Sequence, residues 1–83
     1  MAYEVWSTLS ASLLAAYETE EDALAAVRRE IRAHGRRYAA GFALAYENGR
    51  GRTRAIAEGQ ALVQRALAAA RKRAPARPGR VAA

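Results

Sequence analysis

One segment of the chain has a helical period of apolar residues. Within TEEDALAAVRREIRAHG, residues 19–35, three apolar residues recur at the spacing of one helix face: Leu24, Val27 and Ile31. Thr19 is a natural N-cap, and Asp22 lies three positions on, where the acid of a capping box belongs. Gly35 supplies a residue suited to the left-handed end of a helix. These features predict a helix over about residues 20–34.

The segment before this helix alternates with period two. Tyr3, Val5 and Ser7 would share one face of a strand, and a polar stretch over residues 7–12 is typical of a turn. The pattern predicts a hairpin with strands near residues 2–8 and 12–18. Because Ala and Leu favour helix, one helix from Ser10 to His34 is the alternative. The capping signal at Thr19 argues against that continuous helix.

After Gly35, large and small residues alternate from Tyr38 to Tyr46, which predicts a third strand. Asn48-Gly49 is a strong hairpin signal, and residues 52–57 would form the returning strand. The segment EGQALVQRALAAARKR, residues 58–73, predicts a second helix. Pro75 and Pro78 prevent its continuation.

The resulting order is ββαββα. It predicts an α+β fold with a four-stranded, largely antiparallel sheet and two helices on one face. We expect residues 1–70 to form a single domain and residues 71–83 to form a basic, disordered tail. The stretches VWST, ETEEDALAAVRREIRAHG and IAEGQALVQRA resemble small uncharacterised bacterial proteins of ββαββα order from GC-rich genomes. The resemblance covers roughly residues 3–70 and implies no function.

Positive charge is concentrated at the C-terminus of this 83-residue chain. Residues 71–83 carry four Arg, one Lys and no acid, whereas residues 1–70 carry nine Arg against eight acids and have a net charge of +1. Basic tails bind phosphate backbones without reading sequence. A weak, non-specific contact with nucleic acid would use the arginines of the hairpin and the basic residues of the tail: Arg50, Arg52, Arg54, Arg71, Lys72, Arg73, Arg77 and Arg80. The alternatives without a nucleic-acid partner are a tight hairpin tip for the hairpin arginines and a solubilising chain end for the tail.

Few residues are suited to catalysis. The chain has no Cys, and its one histidine, His34, falls in the last turn of the first predicted helix, where free carbonyls and the helix dipole explain it. We therefore expect no enzyme, no catalytic residue, no metal site and no cofactor. No apolar run approaches the roughly 20 residues that span a bilayer, so we expect no membrane partner and a cytoplasmic location.

Aromatic residues lie on the predicted strands, and helices cover only one face of the sheet. If the small residues face the helices, a contact surface remains exposed, for which the candidates are Trp6, Phe42, Leu44 and Tyr46. The opposite orientation makes the large residues ordinary core, and a stacking platform for nucleic acid is a further alternative. A body of about 70 residues has a marginal core. The sequence thus predicts a non-catalytic interaction module that forms a homodimer, with a nucleic-acid-binding accessory protein as the alternative.

Overall fold

The computed structural model describes residues 2–73, with side chains up to residue 70. The elements follow in the order β1 (Ala2–Ser7), β2 (Ser12–Tyr17), α1 (Glu20–His34), α2 (Arg36–Ala39), β3 (Phe42–Glu47), β4 (Thr53–Glu58) and α3 (Gly59–Arg73). The predicted α+β fold with ββαββα order is confirmed. The short helix α2 is an addition that the sequence pattern did not predict.

The four strands form one sheet in the order β2-β1-β3-β4, in which every neighbouring pair is antiparallel. At its centre Val5 of β1 faces Leu44 of β3. Both side chains are buried, and they join α1 and α3 residues in one core cluster. The helices therefore cover the face of the sheet that carries Val5 and Leu44.

The two halves of the molecule have the same order of elements. Each half is a β-hairpin followed by a 15-residue helix, and the sheet order is symmetric about the β1–β3 pair. Three buried residues of each helix recur at the same spacing: Ala23, Leu24 and Val27 in α1, and Leu62, Val63 and Ala66 in α3. The helix α1 buries Ala26 in addition. The fold therefore contains an internal repeat of the ββα unit.

Both helices are held by polar contacts as well as by the core. The Arg28 guanidinium Nη1 of α1 donates a hydrogen bond to the Ala66 carbonyl of α3, at 3.1 Å. Arg65 of α3 bonds the Glu20 carboxylate at the start of α1, and this hydrogen bond raises the pKa of Arg65 above its ordinary value. These contacts fix the two helices against each other on one face of the sheet.

Local signals predicted α1 correctly. The Thr19 hydroxyl accepts a hydrogen bond from the Asp22 N–H at 3.0 Å, and α1 covers residues 20–34 as expected. Gly35 has φ +93°, and its N–H donates a hydrogen bond to the Ile31 carbonyl at 2.7 Å.

The third strand begins later than predicted. Tyr38 belongs to α2 and not to a strand, because the chain turns helically once more before β3 starts.

The predicted association face of aromatic and leucine residues is not an accessible surface. Phe42 and Leu44 are buried under the helices, whereas Trp6 points to the opposite side of the sheet from its neighbour Val5. Tyr46 lies across from Tyr3 on the helix side. The correction follows from the β1–β3 pairing, which places Leu44 opposite Val5. The alternative of an ordinary core holds for Phe42 and Leu44.

The helix α3 continues through Arg73, so the first three residues of the predicted basic tail have a helical backbone. The remaining predicted contacts of that tail, Arg77 and Arg80, lie outside the described residues, as do the side chains of residues 71–73.

Candidate association surface and basic hairpin

Exposed large apolar residues occur in two elements of the molecule. Within residues 2–70 four large hydrophobic side chains are exposed: Leu9, Leu13, Leu14 and Tyr38. They belong to the β1–β2 hairpin and to α2. We call the three that line the grooves described below, Leu9, Leu14 and Tyr38, the leucine patch. Leu9, in the turn of the hairpin, is 91% exposed, and the other three of the four side chains are about half exposed.

A β-bulge in β2 explains why two adjacent leucines are both exposed. Val5 pairs with Ala15 and Trp6 pairs with Leu13, so Leu14 is an extra residue between them. Leu13 lies with Trp6 on the sheet face opposite the helices, while Leu14 lines a groove beside α1. The bulge therefore gives β2 an apolar side chain on each side of the sheet edge.

Two adjoining grooves border the leucine patch. The first, of about 350 Å³, lies between β2 and α1 and is lined by apolar residues with Arg29 and Glu30 among them. The second, of about 570 Å³, lies beneath the β1–β2 hairpin and includes Leu9 and Arg37 in its lining. Leu14, Tyr38 and Phe42 line both. The patch is therefore a set of projecting side chains beside hollows of similar chemistry.

Aromatic contacts fix Tyr38 although its side chain is half exposed. The ring centroid of Tyr38 lies 4.6 Å from that of His34 and 5.4 Å from that of Phe42, with an edge-on geometry to Phe42. His34 also approaches the Glu30 carboxylate of the preceding turn, at 3.8 Å. The one histidine of the chain is thus part of the support for the leucine patch.

Trp6, the candidate from the sequence that lies on the helix-free face of the sheet, is partly buried there. Its indole N–H donates a hydrogen bond to the Glu4 carboxylate, at 3.0 Å. Ala43 of β3 lies directly opposite Trp6 in the β1–β3 pair. Trp6 does not line either groove and so stands apart from the leucine patch.

The β3–β4 loop is longer than a two-residue turn and is organised by two side chains. Glu47 Oε2 accepts hydrogen bonds from the N–H groups of Gly49 and Gly51, at 2.9 and 3.0 Å. Asn48 Oδ1 accepts from the N–H groups of Arg50 and Arg52, at 2.8 and 3.3 Å. Gly49 and Gly51 have φ values of +86° and +84°, which glycine adopts readily.

The loop brings two of the predicted arginines together. Arg52 and Arg54 line a shallow depression of about 450 Å³ with Tyr46 and Asn48. Arg54 faces Tyr46 directly across the β3–β4 pair, and the ring of Tyr46 lies 5.0 Å from that of Tyr3. Arg50, at the exposed tip of the loop, does not line the depression.

Sequence reasoning missed Leu9, Leu13 and Leu14 as surface residues. The adjacent pair Leu13-Leu14 was the available signal, because neighbouring residues of a regular strand point to opposite faces of a sheet. With helices on one face only, at least one of the two leucines had to be exposed or displaced by a bulge.

Comparisons with known proteins give no relative: no protein-family model, no curated protein and no solved structure matches this chain. The resemblance to bacterial ββαββα proteins stays a prediction. In the part of the chain that the structure describes, no three His, Asp or Glu side chains are grouped to hold a metal ion. Among the same residues, no helix has the length and apolar character needed to cross a membrane.

Proposed function

We propose that this protein is a non-catalytic, cytoplasmic interaction module that forms a homodimer through the leucine patch. The observation that carries the proposal is the grouping of Leu9, Leu14 and Tyr38 around two adjoining grooves. Exposed apolar groups that cluster in this way mark interaction sites, whereas single exposed apolar residues are ordinary.

Leu9 is the most exposed side chain of the leucine patch. Full burial of a leucine side chain contributes about 1.5–3 kcal/mol relative to leaving it exposed. A second copy covering the patch would bury Leu9, Leu14 and Tyr38 in both protomers at once. The folding free energy of a small domain is about 5–15 kcal/mol, so a gain of several kcal/mol on association is comparable in size.

The non-catalytic part of the proposal rests on the chemistry of the side chains. The chain lacks cysteine, and its one histidine, His34, contacts Tyr38 and Glu30 at the base of the patch. Its position suits a role in supporting that surface.

Sedimentation equilibrium from micromolar to hundreds of micromolar protein tests the proposal. We expect a monomer–dimer equilibrium for the native chain and a monomer for Leu9→Glu, because a charge at this turn position would have to be buried in the dimer. Gln64→Glu, which adds the same charge at an exposed position on α3, is the matched control and should dimerise normally. A native chain that remains monomeric over the whole range would contradict the proposed function.

A second candidate function, weak nucleic-acid binding, is favoured by one observation. Arg52 and Arg54 share a depression with Tyr46, so two cations and an aromatic ring are adjacent. Cations beside aromatic rings are the elements of sequence-tolerant binding to nucleic acid.

The salt dependence of binding to duplex DNA tests this candidate. Two phosphate contacts would contribute about −1.8 to the slope of log K against log salt concentration. We expect the double variant Arg52→Gln, Arg54→Gln to lose that contribution. The matched double variant Arg32→Gln, Arg36→Gln, which removes the same charge from exposed positions elsewhere, should retain it. Equal slopes in the two double variants would exclude a role for the depression.

A further inference from the structure

The internal repeat allows the two edges of the sheet to be compared position by position. Leu14 is the extra residue of the bulge in β2, and Ile56 is the extra residue of the equivalent bulge in β4. Ile56 is partly buried and packs against the core, whereas Leu14 is half exposed beside an open groove. The same structural position is therefore filled in one half of the molecule and left open in the other.

The edges also differ in charge. The edge strand β4 carries Arg54 and Glu58, whereas β2, with the sequence SLLAAY, carries no charged residue and no proline. Charged residues on an edge strand oppose association with another chain. Of the two equivalent edges, β2 is the one without this protection.

The β2 side of the molecule has both a protruding apolar side chain and an apolar groove, which suits a two-fold contact. In a two-fold interface the same surface is used by both partners, so any projecting group must find its hollow within that surface. Leu9 projects from the turn of the β1–β2 hairpin and lines the groove beneath it, which adjoins the groove between β2 and α1. Leu14 and Tyr38 connect the two features, because they line the grooves on both sides.

The charges at the first groove are self-complementary as well. Arg29 and Glu30 are adjacent on α1 and line the same groove. A two-fold axis that passes between Arg29 and Glu30 places the acid of one copy opposite the base of the other. A partner that carried only one sign of charge would be repelled by one of these two residues.

We propose that the homodimer forms through a two-fold contact in which Leu9 of each copy enters the β2–α1 groove of the other, while Arg29 and Glu30 pair across the interface. This inference rests on the proposed function and specifies its surface. The contact is made by side chains, since the bulge at Leu14 interrupts the regular hydrogen-bonding edge of β2.

A charge-exchange experiment tests this geometry. Arg29→Glu leaves two adjacent acids on each protomer, and Glu30→Arg leaves two adjacent bases. Each single variant should dimerise roughly tenfold more weakly than the native chain, because like charges then meet in both symmetric contacts. The combined variant Arg29→Glu, Glu30→Arg should recover an affinity within about threefold of native, since it only reverses the order of the charges.

Mixing the two single variants gives the sharpest result. Protomers with two acids and protomers with two bases should form a heterodimer that is at least about tenfold tighter than either homodimer. The variant Gln64→Glu is the control for an added acid outside the interface. Thermal melting of each variant shows that its fold is kept, which we expect because Arg29 is exposed and Glu30 is only partly buried.

The outcomes separate this inference from the proposed function. A native chain that never dimerises overturns both. A native dimer that is lost in Leu9→Glu but unaffected by Arg29→Glu and by Glu30→Arg keeps the proposed function and overturns the inferred pairing of the two charges. A native dimer that none of the three variants changes overturns the leucine patch as the interface, and with it both proposals. Preferential pairing of the two single variants, together with loss of the dimer in Leu9→Glu, supports the proposed contact.

Discussion

Thr19 and Gly35 bound α1 through contacts that involve only neighbouring residues. The Thr19 hydroxyl accepts from the Asp22 N–H, and the Gly35 N–H bonds the Ile31 carbonyl. Such contacts depend on three or four consecutive positions, so a sequence pattern is sufficient to predict them. This is why both ends of α1 agree with the sequence while other boundaries shift.

The cap at Thr19 gives a prediction for the stability of the monomer. Thr19→Ala removes the acceptor for the Asp22 N–H, and we expect the free energy of unfolding to fall by about 1 kcal/mol. Thr19→Ser keeps the hydroxyl, and Ser caps a helix at least as well as Thr, so its free energy of unfolding should stay close to the native value. Urea denaturation of the two variants measures the difference. Equal losses in both would show that the methyl group, and not the cap, is responsible.

The elements differ in how far local sequence determines them. The alternation from Tyr38 to Tyr46 predicts a strand throughout, yet its first two residues form part of α2. Ala39 and Ala40 favour helix, and the Ala40 N–H bonds the Arg36 carbonyl at 2.9 Å. Strand formation starts only at Phe42, where pairing with Ser7 of β1 begins. That partner is distant in sequence, so the boundary could not be read from periodicity.

The β3–β4 loop gives a prediction at the level of an element. Glu47 holds the N–H groups of Gly49 and Gly51, so Glu47→Ala should destabilise the domain by about 1 kcal/mol and speed amide exchange at both glycines. Glu58→Ala, at an exposed position on the adjacent strand β4, is the comparison and should leave those amides unchanged. Unaltered exchange in Glu47→Ala would mean that the loop keeps its shape without the carboxylate.

At the scale of the whole molecule, the element order was predictable and the buried face of the sheet was not. Periodicity assigns Phe42 and Leu44 to one face of β3, but only the pairing of β1 with β3 decides that the helices cover it. The leucine patch was hidden for the same reason. Leu14 is exposed because of a bulge and a groove beside α1, and both depend on how the hairpin meets the helix.

The internal repeat has a further consequence for how the chain is connected. Each ββα unit ends in a helix, and residues 35–41 connect the first unit to the second. A circular permutant that begins at Gly41, joins Ala83 to Met1 and ends at Ala40 should therefore fold into the same sheet, with the same helical circular dichroism. Opening the chain between Leu44 and Ala45 instead breaks the central strand and should prevent folding. Failure of the first permutant to fold would show that the symmetry of the sheet does not extend to the chain ends. Its success would mean that either ββα unit serves equally well as the beginning of the protein.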